Sequence, residues 1–324
     1  MPATTETQRA MGLVLLATLP GGLTLFALHG WGTLITLLLA AAAGLTAEAA
    51  AQRLRRRSPR SALSDGSALV SCTLLALALP PYSPWWLTLA AASAAILLGK
   101  QLFGGVGRNP FNPAMLGYAI VLLAFPLQMS QWPAPHAAGL GAALQQIFVS
   151  ADLPDAWAQA TVLDVLRVDR SRTIEELFCG HPAFGHLAGR GSEWVNLAFL
   201  LGGLFLLQRR LFGWHAPAGM LAGLFLMSLL FWNGSGSDSH GSPLLQLFSG
   251  ASMLGAFFIV TEPVSGPEGQ RARLLFGVGV GVLTYLIRAW GAYPDGLAFA
   301  VLLMNLAVPA LQRHGQGRPG TAAP

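Results

Sequence analysis

Long apolar runs recur along the chain, separated by short segments rich in arginine, glycine or proline. Ten of them approach the length that a helix needs to cross a bilayer core, about 17–25 residues for ~30 Å. They cover 11–29, 31–51, 67–82, 85–103, 111–130, 195–212, 216–232, 244–261, 273–290 and 296–311, and several are short or broken by glycine and proline. One long polar stretch, Gln131 to Trp194, stands between the fifth and sixth runs. The pattern predicts an all-α membrane protein of about ten transmembrane helices. It divides into a five-span half (1–130), an outer loop (131–194), a second five-span half (195–312) and a tail (313–324). An odd number of spans per half would turn the second half over relative to the first, the inverted repeat of many transport folds. A faint echo of such a repeat joins Asn112-Pro113-Ala114-Met115-Leu116-Gly117 to Gly250-Ala251-Ser252-Met253-Leu254-Gly255, although the two do not sit at equivalent positions in a strict five-plus-five register.

Composition supports the same class. Of 324 residues 53% are hydrophobic and only 10% charged, with mean hydropathy +0.55, against about 25% charged in soluble domains. The first run, Met11 to Leu28, has no small-x-small cleavage site behind it and reads as a first span rather than a removable signal. The net charge of +5 does not describe a nucleic-acid surface, because the arginines fall between apolar runs and not along one face. They do set orientation, since basic residues stay in the cytoplasm. With the N-terminus inside, 14 of the 19 Lys and Arg lie on the inner side; Arg167, Arg170, Arg172, Arg190 and Arg288 are left outside. Both termini are then cytoplasmic, and the 131–194 loop faces the periplasm of a bacterial inner membrane. Cys72 and Cys179 are far apart and lack a CxxC partner, which argues against a thiolate-held metal or iron–sulfur cluster.

Candidate chemistry is sparse. Gly104 to Pro113 contains two Asn-Pro pairs, Asn109-Pro110 and Asn112-Pro113, and proline both lacks an N–H and disfavours helix in the residue before it. The backbone must break there, and broken backbone at membrane depth is tolerated where it is buried in protein or lines a cavity. The two asparagines suit a carbonyl-and-imide edge such as a flavin's; ordinary turn chemistry accounts for them equally well. Thr261-Glu262-Pro263 reads as a charged turn, Ser64-Asp65-Gly66-Ser67 as a helix N-cap and Tyr293-Pro294-Asp295-Gly296 as a turn capped by Asp295. Trp85, Trp86, Trp132, Trp194 and Trp214 sit at span ends as interfacial anchors. Glu48 is an acid inside an apolar run, a candidate for an ion path, yet close enough to Gln52 and Arg53 to be interfacial. Within the outer loop, Asp155-Ala156-Trp157-Ala158-Gln159-Ala160-Thr161 ends in a hydroxyl flanked by small residues. Physics alone gives that threonine little distinction from any solvated one. No GxGxxG, P-loop, HExxH or GxSxG pattern occurs, so an enzyme acting alone is not indicated.

Four segments together resemble the RnfD component of the Rnf (Rsx) ion-translocating electron-transport complex. They are Gly107 to Tyr118, the Leu79-Pro80-Pro81-Tyr82-Ser83-Pro84-Trp85-Trp86 hinge, Ser249 to Phe258, and Tyr293 to Leu303. The NqrB component of the sodium-pumping NADH:quinone reductase is a close relative and typically carries extra sequence before the first span. The resemblance implies an FMN joined through its phosphate to a threonine of an outer-side loop by a flavin transferase. The attachment pattern falls on Asp155 and Ala160-Thr161, with Ala158 where serine is usual and Val162 where proline often follows. It further implies a second, non-covalent flavin (riboflavin or FMN) among the helices, for which Asn109 and Asn112 are the candidate contacts. The chain would then be a redox component, not catalytic alone, that works with the other subunits of the complex and couples electron transfer to ion movement. A solute channel or transporter of inverted-repeat type is the alternative from a different class.

Overall fold

The computed structural model describes residues 5–315 apart from 106, 151 and 294. The tail beyond 315, with Arg318, and Pro294 of the expected 293–296 turn lie outside the described residues. In chain order the helices are α1 (Thr5–His29), α2 (Trp31–Leu54), α3 (Pro59–Leu63), α4 (Ser67–Ala78) and α5 (Trp85–Ala94), which continues into a π-helical segment, Ala95–Gln101. Then come α6 (Pro113–Ala124), α7 (Pro126–Ser130), α8 (Leu140–Phe148), α9 (Val162–Val168), α10 (Ile174–Gly180), α11 (Ser192–Gln208) and α12 (His215–Leu230). The last group is α13 (Pro243–Leu247), α14 (Ser252–Leu254) with a second π-helical segment Gly255–Ile259, α15 (Gln270–Trp290) and α16 (Leu297–Gly315). Among the described residues no strand forms beyond two isolated bridges, Pro133 with Ala158 and Phe184 with Gly189.

All ten apolar runs fall on helix, but their lengths differ from the expectation. Among the described residues three helices, Glu6–His29, Trp31–Leu54 and Gln270–Trp290, are long and apolar enough to cross a membrane by themselves, and five more apolar helices have 10–17 residues. The run 244–261 does not form one rod. It breaks after α13 because Gly250 takes a left-handed φ of 56°, and the Asp295 carboxylate accepts a hydrogen bond from the Ala251 N–H at 2.8 Å, fixing the turn before α14. Asn196, buried on α11, holds the same break: its Nδ2 donates to the Phe248 and Gly250 carbonyls, each at 3.0 Å, and its Oδ1 accepts from the Met253 N–H.

Close backbone approach holds the second half together. α12 and α15 are its most extensively packed pair. A Cβ on Gly219 or Gly223 would come within 2.5 and 2.6 Å of the Leu274 and Val278 carbonyl oxygens. Small residues serve this purpose in membranes, where apolar burial alone gives helices little reason to associate. The two halves meet where α1 packs on α11 and α6 on α16. The outer loop is not structureless. Val162, Leu163, Val165 and Leu166 of α9 pack with Leu177, Phe184 and Leu245 into a small core of their own. Capping boxes start both of its later helices, Thr161 with Asp164 on α9 and Thr173 with Glu176 on α10.

Candidate functional site

The interface between the halves encloses a cavity at each end. The first, of about 550 Å³, lies on the side of the 131–194 loop; it is floored by Met115, Tyr118 and Leu122 of α6 and by Phe199 of α11, and its rim carries Thr161 and Arg190. That volume is well within the about 300–1,000 Å³ usual for small-molecule sites. The second, of about 260 Å³, lies toward the other ends of the same helices, lined by Ser67, Lys100, Asn109, Asn112, Glu262 and Arg273 among others. α1 contributes Leu25, Leu28 and His29 to the first cavity and Ala10, Met11 and Val14 to the second. On α6 the change of cavity falls between Ala114 and Met115, and on α4 between Leu74 and Leu77. At 1.5 Å rise per residue the gap along a helix is less than one turn on α6 and α4 and about 16 Å on α1.

Thr161 is half-buried at the rim of the first cavity. Its Oγ1 donates to Asp164 Oδ2 at 2.7 Å and accepts from the Asp164 N–H at 3.2 Å, so the hydroxyl is also the N-cap of α9. Ala160 beside it is exposed and lines the same cavity. Asp155 does not join them: it is exposed, in the turn closed by the Trp157 N–H donating to the Pro154 carbonyl. Val162 and Leu163 line the cavity as members of the buried loop core. His29 carries no signal in the sequence. It is buried, lines this cavity, and its Nδ1 has no hydrogen-bond partner among the described residues. Arg167, Arg190 and Tyr118 escape sequence reasoning as well, because nothing in their local sequence marks residues brought together from three separate segments.

The second cavity combines both breaks in the helical scaffold, one from each half. The first π-helical segment supplies Lys100 and the second supplies Phe257 and Phe258; such segments recur at functional sites. Asn109 and Asn112 are brought together here with Glu262. Asn109 Nδ2 donates to Glu262 Oε1 at 2.9 Å and to the Phe111 carbonyl at 3.1 Å, and the Ser265 hydroxyl donates to the other Glu262 oxygen. Asn112 acts largely as a cap: its Oδ1 accepts from the Met115 N–H at 3.1 Å at the start of α6. Its own N–H donates to Asn305 Oδ1 at 3.0 Å, joining α6 to α16. The turn reading of Asn112 and the cavity reading thus hold at one residue, while no hydrogen bond reaches Asn109 Oδ1 among the described residues.

Glu48 is fully buried within the protein. Lys100 Nζ lies 3.1 Å from its Oε2, and Gln101 Nε2 donates to its Oε1 at 2.6 Å. The Lys100 ammonium also donates to Ser67 Oγ at 2.8 Å, and Ser67 in turn donates to Asp65 at 2.6 Å. Gln101 Oε1 accepts from Arg55 at 3.0 Å and from Gln52. In the outer loop, hydrogen bonds from Ser171 and Arg172 hold the Asp169 carboxyl well below the usual range, and those from Thr173 lower Glu176. Burial lowers His181 and His240. Among the described residues no group of three or more His, Cys, Asp or Glu side chains could hold a metal ion. Cys72 is buried and Cys179 exposed, both free.

An all-helical chain with membrane-length apolar helices, whose two halves border a cavity at each end of a shared interface, has the architecture of a membrane protein. The model of the NQR2, RnfD, RnfE family matches residues 1–319. The chain belongs to that family. It is 65% identical over 314 residues to the D component of the ion-translocating oxidoreductase complex of Pseudomonas aeruginosa (strain LESB58), covering 97% of this chain and 91% of the relative. The proteins of the same name from Cellvibrio japonicus and Citrobacter koseri are 46% and 44% identical, covering 95% and 97% of this chain and 89% and 94% of theirs.

Proposed function

We propose that this chain serves as the D component of a bacterial ion-translocating oxidoreductase complex and carries one flavin in each cavity. The observation that carries the reading is the placement of two cavities on one interface, with Thr161 on the rim of the larger. When bound, flavins supply one- and two-electron redox chemistry; the chain's part is to hold, orient and shield them and to set their potentials. Thr161 Oγ1 is the atom for a phosphoester to FMN. The residues present fit that group. The cavity floor is apolar, as a ring system needs, and Arg167 and Arg190 line the same space with charge opposite to a phosphodiester's. Asp164, hydrogen-bonded to the free hydroxyl, is a like charge beside the attachment point. The second cavity offers a flavin's polar edge the Asn109 Oδ1, while Lys100 and Arg273 add positive charge; Asn112, occupied with capping, lines the same cavity.

Topology is part of the same proposal. Ten spans in two inverted halves, with both termini cytoplasmic and the Thr161 loop periplasmic, accommodate the arginine bias and the division of the scaffold into two groups that meet at α1–α11 and α6–α16. The other subunits and a flavin transferase are the partners this requires, and the buried Glu48 belongs to a route for charge from the inner side. A solute channel or transporter would use the same interface without flavin. Co-expression with a flavin transferase separates the two: the flavin reading expects a fluorescent band in denaturing electrophoresis that Thr161→Ala abolishes, and a flavin-free protein overturns it.

A further inference from the structure

The Glu48–Lys100 pair is the most deeply buried ion pair among the described residues, with side chains 1% and 2% exposed. Two ions withdrawn from water carry a heavy desolvation penalty, which a pair offsets only with good geometry and further hydrogen bonds. Gln101 donates to one Glu48 oxygen, and the ammonium alone faces the other. An ammonium has three donors; Glu48 and Ser67 account for two, and among the described residues none accepts the third. Lys100 also lines the second cavity, whereas Glu48 does not. The π-helical segment Ala95–Gln101 accounts for the placement, since its wider turn brings consecutive residues to the same cluster: Lys100 toward the cavity and Gln101 toward Glu48. The other charges lining the cavity, Glu262 and Arg273, come from the opposite half.

We infer that Lys100 and Glu48 act as an opposed pair setting the reduction potential of the flavin in the second cavity. Lys100 presents positive charge to that flavin, and Glu48 behind it moderates the charge. The inference rests on the reading of this cavity as a flavin site. Both residues are positioning residues: Lys100 acts on the ligand's electronics through space, and Glu48 acts only through Lys100. Low polarity around the pair strengthens their electrostatic effect. Adding electrons makes a bound group more negative, so a nearby cation favours the reduced form and a nearby anion the oxidised form. Removing one partner or the other must therefore move the potential in opposite directions.

The test is a redox titration of the non-covalent flavin in the full-length chain carrying Thr161→Ala, so that no attached FMN contributes. Lys100→Met is expected to lower the midpoint, and Glu48→Gln to raise it, each by at least tenfold in the reduced-to-oxidised ratio, about 30 mV for a two-electron couple. Because either single change leaves a buried group unpaired, the double variant Glu48→Gln, Lys100→Met, which removes both charges, is titrated as well. It is expected to fold and to return close to the starting midpoint. Shifts of the same sign, shifts under twofold, or a double variant displaced as far as a single one overturn the inference while leaving the flavin site standing. If the starting protein yields no non-covalent flavin on extraction, the cavity reading itself falls and the inference with it.

Discussion

Thr161 caps α9, and the proposed flavin attachment would draw on the same oxygen. As the N-cap of α9 it accepts from the Asp164 N–H and donates to the Asp164 carboxylate; as an ester it keeps the acceptor but loses the proton it donates. Thr161→Ala should therefore do two separable things. It removes the attachment atom, and it costs about 0.5–2 kcal/mol of local stability through the lost cap, read as a lower melting temperature of the flavin-free protein. Thr161→Asn restores a capping side chain without an esterifiable hydroxyl, so it is expected to recover the stability and not the covalent flavin. Asn196 makes a simpler case. It is buried and ties α11 to the broken segment at α14 through three backbone contacts. Asn196→Ala leaves several of those groups unpaired, at about 1–3 kcal/mol for each buried one, and should lower the melting temperature in detergent more than any single apolar-surface change.

At the scale of elements, α12 and α15 depend on absent side chains. Gly223→Ala places a methyl 2.6 Å from the Val278 carbonyl oxygen, and overpacking of this kind costs about 1–3 kcal/mol. The expected result is a lower melting temperature, and an unchanged one would show that the pair is free to separate. The outer-loop helices respond to acid instead. Asp169 and Glu176 have carboxyls lowered by hydrogen bonds in the folded loop, so their contribution is present above the ordinary carboxylate range of about 4 and disappears as pH falls through their folded values. Amide protection across 162–180, corrected for intrinsic exchange, should hold from pH 7 to 5 and weaken only in stronger acid; loosening already at pH 5 would contradict the assignment. The positions of helices were legible because long apolar runs have few other solutions in a bilayer. The break inside 244–261 was not, since it depends on Asp295 and Asn196, which reach it from 44 and 54 residues away along the chain. The loop core was hidden for another reason. α9 and α10 have seven residues each, too short for a hydropathy window, although their Thr-x-x-Asp and Thr-x-x-Glu starts are readable as caps.

For the whole molecule, the informative arrangement is the shared interface with a cavity at either end. The sequence offered Thr161, Asn109 and Asn112 as unconnected candidates, and the fold relates them: α6 begins at the smaller cavity, capped by Asn112, and Tyr118 faces the larger one. Asp155, six positions before Thr161, lies outside the cavity that Thr161 borders. Lys100 and Glu48 could not be paired from sequence because 52 positions separate them and neither stands in a motif. Whether each cavity takes a flavin, the larger one covalently, is decided by mass spectrometry of the peptide from Asp155 to Arg167, together with extraction of loosely held flavin from the same sample. The expected result is an FMN-sized addition on Thr161 and one extractable flavin per chain, with only the extractable one left in Thr161→Ala. An unmodified peptide from protein matured with a flavin transferase, or covalent flavin persisting in Thr161→Ala, would contradict it.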